Sequence, residues 1–407
     1  MKHLVIIGTV FPEPNSTAAG SRMLQLISFF RSEGYRVTFL CAASPTEHSA
    51  DLKSMHADTI AVKLNDSSFE MLLRELNPDT VLFDRFTTEE QFGWKVAEVL
   101  PQAVRILDTE DLHFLRKGRE EAFKQDIECG LSLLTGDIFK REMASILRCD
   151  LSLIISEFEM ELLTKTFKTD SQLLHYLPLF AENSKISPDY GVRCNFISIG
   201  NFLHEPNWQT VLRIKKIWKE IRGQIPEVEV HIYGAYVPQK AMQLHNEREG
   251  FLVKGRATEV KEVFSKARVL LAPIPFGAGI KGKLLDAMSL GLPNVTTTVG
   301  AEAMHRSMPW GGYIADSDAE LIEKSVFIYQ NASAWNAARD NGYRIIGEMF
   351  NKDLFLSDFS ARLIQISENL SDLRAKNYMG QILKHHQFQS TKYMGKWIEE
   401  KNRGTLN

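Results

Sequence analysis

What most constrains this chain is a repeated alternation of short apolar runs with amphipathic stretches, broken once near its middle. Residues 4–7, 37–41, 80–83, 103–107, 151–155 and 173–177 are apolar runs of strand length, and helical patterns fill several of the gaps between them. Strand–helix alternation of this kind predicts crossover units and a mostly parallel sheet with helices on both faces. The pattern lapses over residues 178–194, where Pro178, Asn183, Ser184, Pro188 and Gly191 read as a linker. It restarts with strands over 194–199, 228–233, 251–253 and 269–272 and a helix near 207–221, and from about residue 317 the chain reads as helical. The expectation is an α/β chain of two doubly wound domains, 1–185 and 186–370, with a helical segment 371–407 crossing back toward the first.

Composition supports two cores. The chain has 407 residues, 44% of them hydrophobic and 24% charged, which is too apolar for a disordered chain and too long for one ordinary domain. A formal net charge of −3 gives no general attraction to nucleic acid, so no such partner is expected. Cys41, Cys129, Cys149 and Cys194 lie far apart, without metal-ligand spacing, and read as buried thiols in a reducing compartment. The apolar run after Met1 is too short for a signal peptide, and no run of about 18 apolar residues occurs, so a cytoplasmic protein is expected. Residues 384–397 mix Lys384, Lys392 and Lys396 with Phe388, Tyr393 and Trp397. A packed helix with a solvated basic side is the plainer reading; contact with a lipid-linked acceptor at the inner face of a membrane is the other. Oligomeric state leaves no trace in the sequence.

In open parallel sheets, ligands bind beyond the carboxyl ends of the strands. Four such loops carry unusual residues. The first, after residues 4–7, runs well past the about 2–6 residues usual for such connections. Gly20 and Ser21 stand where its helix should begin, with bare amides suited to a phosphate and Arg22 to add charge; the plain alternative is an ordinary loop with Ser21 near a cap. The second, after 103–107, is Asp108-Thr109-Glu110-Asp111-Leu112-His113, with Arg116 behind. His113 suits a hydrogen bond to a substrate hydroxyl or proton transfer near neutral pH, while the acids equally suit a helix cap. The third is Gly200-Asn201-Phe202-Leu203-His204-Glu205-Pro206-Asn207, in which Asn207 reads as an N-cap and Asn201 and His204 reach a phosphate-bearing ligand.

The fourth loop is the most informative. Gly277-Ala278-Gly279-Ile280-Lys281-Gly282-Lys283 enters a helix, with Asp286 three residues beyond Lys283. Lysine at a helix N-terminus opposes the macrodipole by about 0.3–1 kcal/mol. A diphosphate facing the amides and both ammonium groups offsets that penalty. Asp286 shares a face with Lys283 and suits a hold on ribose hydroxyls; a solvated Lys283–Asp286 pair is the plain alternative. Neither G-x-x-x-x-G-K-[ST] nor a G-x-G-x-x-G after the first strand is present, which disfavours a plain P-loop and a nicotinamide oxidoreductase.

The third and fourth loops, in their order and spacing, together with Pro293 and Thr298-Val299-Gly300-Ala301-Glu302, resemble the donor half of glycosyltransferase family 4, the retaining nucleotide-sugar enzymes of the GT-B fold. The resemblance covers about residues 195–305; in the first half, Ala18-Ala19-Gly20, the stretch from Asp111 to His113 and Ser156-Glu157 also fit. It implies two Rossmann-like domains facing across a cleft, with a UDP- or GDP-linked sugar as co-substrate and no separate cofactor. Of the family's two acids eight positions apart, the second falls on Asp286, holding the ribose, and the first position is Ala278. The amides of Gly277, Ala278, Gly279 and Ile280, with Lys281, then take the diphosphate, and Gly20, Asn201, His204 and Lys283 complete the donor site.

The catalytic residues so implied are His113, orienting donor sugar or acceptor hydroxyl, and Lys281, stabilising the departing nucleotide diphosphate. The implied reaction is retaining hexosyl transfer to a hydroxyl acceptor, a glycan or a lipid-linked molecule. Metal independence is expected, since lysines supply the positive charge and no D-x-D motif stands out. Ala278 keeps open a catalytically silent GT-B relative that binds a nucleotide sugar or acts as a partner subunit.

Overall fold

The computed structural model describes residues 1–404, apart from the side chains of residues 386–391 and 402–404. Strands β1 (His3–Gly8), β2 (Arg36–Cys41), β3 (Ala57–Ala61), β4 (Thr80–Asp84), β5 (Val104–Asp108), β6 (Leu151–Ile154) and β7 (Leu174–Tyr176) form one sheet in the order β3-β2-β1-β4-β5-β6-β7. Strands β8 (Cys194–Ile199), β9 (Val230–Tyr233), β10 (Phe251–Gly255), β11 (Ala267–Ala272), β12 (Asn294–Thr296) and β13 (Gly312–Ile314) form a second, ordered β10-β9-β8-β11-β12-β13. Every pairing within the two sheets is parallel. Each sheet winds outward from its first strand and then returns to lay its fourth strand on the other side. That reversal opens a crevice beyond the carboxyl ends of β1 and β4, and again beyond β8 and β11. Three of the four unusual loops leave those reversal strands, and the other leaves β5.

The inner strands β1, β4 and β11 are apolar runs because both faces are covered, while the edge strands β3 and β13 are only partly buried. Along β1, Leu4 and Ile6 enter one core with Met23, Ile27 and Phe30, while Val5 and Ile7 enter the opposite one with Phe83 and Phe92. In the second domain, Val230 and Ile232 join Trp218 and Trp335 on one face, and Leu270 and Ala272 join Leu284 and Met288 on the other. The period of two along each strand sends successive side chains to opposite cores.

Two helical details differ from the sequence reading. The third loop's helix spans Glu205–Gln224 with His204 in the cap position, so Asn207 lies inside its first turn. The return to the first domain begins before residue 371: the helix Leu356–Glu368 sends Phe359, Leu363 and Ile366 into the core beside Phe29 and Phe30, with the Phe29 and Phe359 rings 4.7 Å apart. Periodicity marks an apolar helix face but not the sheet that will cover it.

The final helix, Tyr378–Gly404, lies along the first domain, where buried Lys95 donates to Glu399 at 2.9 Å and Glu70 at 3.3 Å. Tyr393, Met394 and Trp397 face solvent, and the side chains of 386–391, part of the basic-aromatic stretch, lie outside the described residues. Among the described residues no helix is long and apolar enough to cross a membrane. The thiols also depart from expectation: Cys41 and Cys149 are buried, but Cys129 and Cys194 are exposed, one in a loop between helices and one at the start of β8.

Candidate functional site

The loops beyond β1, β4 and β5 meet those beyond β8, β10 and β11 around a cleft of about 450 Å³, within the range of small-molecule sites. It brings together Asn201, His204, Gly277, Ala278, Ile280, Lys281, Lys283 and Asp286 from the second domain with His113 from the first.

On the second domain's wall, the glycine turn leads into the helix Gly282–Ser289, with Lys281 in the cap position. Gly279 has φ +62°, and a Cβ there would lie 2.8 Å from Asp111 Cβ; one on Gly282 would lie 2.7 Å from Ala18 Cβ. Both glycines therefore let the two domains approach across the cleft. Lys281 Nζ donates to Gly279 O at 2.8 Å. Lys283 Nζ donates to Asn207 Oδ1 at 2.7 Å, and Asn207 Nδ2 donates to Asn201 O at 2.9 Å, so the third and fourth loops are held as one unit. Lys283 has thus turned away from Asp286, and the solvated pair does not form. The Asp286 carboxyl has no partner among the described residues.

Desolvation sets the charge balance of this wall. It lowers the half-buried Lys283 to about 7; Asp286, exposed at the cleft mouth, is raised by the protein around it. Lys281 is lowered for the same reason, against the pull of Glu302. Groups whose charge is disfavoured by a dry wall regain it when a ligand of opposite charge arrives. The Gly279 amide is committed to Glu159 Oε1 at 2.9 Å. The amides of Ile280 and Gly282 have no protein acceptor among the described residues and remain free for an anion.

On the first domain's wall, His113 opens the helix His113–Gln125. The cap comes from a neighbouring helix: buried Glu142 accepts the amides of His113 at 3.1 Å and Phe114 at 2.9 Å, so the acids of the loop itself are free for other work. His113 Nδ1 lies 3.2 Å from Asp111 O and 3.4 Å from Glu142 Oε1. This leaves Nε2 without a protein partner among the described residues. Burial works against the Asp111 carboxylate, but the Arg116 guanidinium paired with it outweighs burial and holds it well below the usual range. His204, exposed on the cleft side, is lowered by the surrounding protein and next by Arg116.

The first loop differs from expectation. Its helix spans Ala18–Ser32 and is capped by Thr17, whose Oγ1 accepts the Gly20 amide at 3.0 Å. Gly20 packs on the Glu13 backbone and does not line the cleft, whereas Asn15, Ser16 and Ala18 do. Arg22 is fully buried: it pairs with Asp108 at 2.8 Å and donates to Leu177 O at 2.8 Å, bracing the start of the linker. The long loop folds back on itself, so distance from the strand end did not measure distance from the cleft.

Four residues escaped the sequence reading. Arg119 donates to Gly277 O at 2.8 Å and pairs with Glu302 at 2.7 Å, tying the first domain to the glycine turn. Glu159 Oε1 accepts from Leu112 N and Gly279 N, both at 2.9 Å, one oxygen joining both domains. Neither carries a local signal, because each lies on a helix and acts across the domain boundary. Arg256 and Arg85 line the cleft directly after β10 and β4, and the strand-end rule points to both. Among the described residues no cluster of three His, Cys, Asp or Glu side chains is placed to hold a metal ion.

Residues 193–331 match the family model of glycosyl transferases group 1. About nine-tenths of the chain superposes on solved structures of GT-B glycosyltransferase architecture at low identity. Sucrose-phosphate synthase from Thermosynechococcus elongatus aligns with a TM-score of 0.63 at 13% identity, covering 92% of this chain and 100% of that one. The pneumococcal O-GlcNAc transferase GtfA, in complex with UDP and GlcNAc, gives 0.67 at 12%, over 90% and 99%. Anabaena HepE, in complex with UDP and glucose, gives 0.61 at 12%, over 91% and 100%. No curated protein matches the chain. The fold is thus GT-B, two parallel-sheet Rossmann-like domains, and the glycosyl transferases group 1 match falls within the second.

Proposed function

We propose that the protein is a retaining glycosyltransferase of family 4, moving a hexosyl group from a UDP- or GDP-linked sugar to a hydroxyl of a glycan or lipid-linked acceptor. The observation that carries this reading is the helix entrance at Lys281–Gly282–Lys283, with free amides, two desolvated ammonium groups and an unpartnered Asp286 one turn on, opposite the open Nε2 of His113. Asp286 suits the ribose hydroxyls, and Lys281, Lys283 and the amides of Ile280 and Gly282 suit the diphosphate.

In the reaction the bond from the anomeric carbon to the β-phosphate oxygen breaks, and its electron pair leaves with the phosphate. The lysines and amides stabilise that developing charge. The acceptor oxygen bonds the same face of the anomeric carbon, and its proton passes to the departing phosphate oxygen. His113 holds the donor sugar or the acceptor hydroxyl in line, and residue 278, an alanine, adds no charge. The UDP and sugars bound to GtfA and HepE support a nucleotide-sugar donor for this chain. The test is product formation from UDP- and GDP-hexoses with methyl glycosides as acceptors, with magnesium and with EDTA, and the anomeric configuration read by NMR. Lys281→Ala should lower turnover at least tenfold, or about 1.4 kcal/mol of transition-state stabilisation; near-normal turnover would refute its role.

A further inference from the structure

On the first domain's wall of the cleft stands a carboxyl group that no described residue satisfies. Glu110 is 7% exposed and lines the cleft, yet its Oε1 is wholly buried without a hydrogen-bond partner, and no described residue bonds its Oε2. Its neighbours are already engaged: Arg22 holds Asp108, Arg116 holds Asp111, and Glu142 does the helix capping. Arg85, directly after β4, lines the same wall, and its one side-chain contact among the described residues is Nη1 to Asp84 Oδ2 at 3.3 Å. Most of its five N–H donors are therefore open.

A buried polar group without a partner destabilises the fold, so its retention at a cavity wall points to a ligand that satisfies it. A carboxyl and an open guanidinium on the same cleft wall match the hydroxyl groups of one ligand, the one accepting O–H and the other donating N–H to oxygen. Asp84 balances the charge of Arg85, and a protonated Glu110 adds none, so this wall selects against strongly anionic or cationic ligands. We propose that Glu110 and Arg85 form the acceptor subsite, and that the accepting end of the acceptor is a neutral sugar bearing several hydroxyls. The inference rests on the transferase reading and deepens it. Burial, with the neighbouring Asp108, raises Glu110 to about 8, so near neutral pH the carboxyl both donates and accepts toward a hydroxyl.

The experiment uses the full chain saturated with UDP or GDP. Binding of methyl α-D-mannopyranoside, methyl α-D-galactopyranoside and methyl α-D-glucopyranoside is measured by saturation-transfer NMR and titration, with 1-butanol as the single-hydroxyl control. Glycoside binding with no butanol binding is expected for the wild type. Glu110→Ala should weaken it at least tenfold, and Glu110→Gln, which still donates and accepts, should keep most of it. Nucleotide affinity should be unchanged in both, and the melting temperature of Glu110→Ala unchanged or raised, because an unsatisfied buried group has gone. Wild-type glycoside affinity in Glu110→Ala overturns the proposal, as does a wild type that binds nucleotide but no glycoside. A fall in melting temperature and nucleotide affinity together marks a structural role and also overturns it. Binding of neither UDP nor GDP removes the donor reading itself, and this inference with it.

Discussion

Glu159→Gln should stabilise the protein more at pH 8 than at pH 6. Glu159 is fully buried; one oxygen accepts Leu112 N and Gly279 N at 2.9 Å each, and the other has no partner. Burial, and next the charge of Asp111, raise its pKa from 4.5 to about 8. Between those values the folded carboxyl holds a proton that the unfolded chain has released, so stability falls as pH rises through that window. At about 1.4 kcal/mol per pH unit, the loss from pH 6 to pH 8 is about 2–3 kcal/mol. Glutamine keeps the accepting oxygen and does not titrate. The difference in unfolding free energy between variant and wild type should therefore grow by about 2 kcal/mol across those two pH values. Urea unfolding followed by tryptophan fluorescence at each pH measures it, and Glu110, shifted the same way in both proteins, cancels. An equal difference at pH 6 and pH 8 would refute the reasoning, since it would mean that Glu159 is ionised between the domains.

Gly279→Ala should impair both stability and turnover: the left-handed conformation costs a non-glycine residue about 1–2 kcal/mol, and the new methyl would sit 2.8 Å from Asp111 Cβ. A melting temperature within a degree of wild type would contradict this. Lys283, lowered to about 7 when unliganded, must take up a proton to meet a phosphate, so nucleotide diphosphate affinity should fall several-fold between pH 7 and pH 8.5. Titration calorimetry checks it, and Lys283→Arg, always charged, should abolish most of that pH dependence.

The doubly wound fold was legible because each buried parallel strand is a short apolar run and each crossover helix an amphipathic one, so residues 4–7 and 194–199 announced the two first strands, β1 and β8. The second domain's half of the cleft was legible too, since Lys281, Lys283 and Asp286 cluster at the start of the helix that follows β11. What failed did so where contact is distant in sequence. Gly20 and Arg22 lie beyond a loop that folds back, and Asn207 serves Lys283 rather than its own helix end. Glu159 and Arg119 carry no motif at all, because their partners lie 120 and 158 residues away in the other domain. Arg256 needed only the rule already applied to the other loops, as it follows Gly255 at the end of β10.

The central claim, a nucleotide diphosphate site at the glycine turn, is tested most directly by thermal shift of the wild type and Asp286→Ala with UDP, GDP and their hexoses. A ligand at 100 times its dissociation constant stabilises by about 2.7 kcal/mol, a shift of several degrees. We expect one nucleotide series to produce that shift in the wild type and Asp286→Ala to lose most of it. No shift with any nucleotide, or an undiminished shift in Asp286→Ala, would contradict the account.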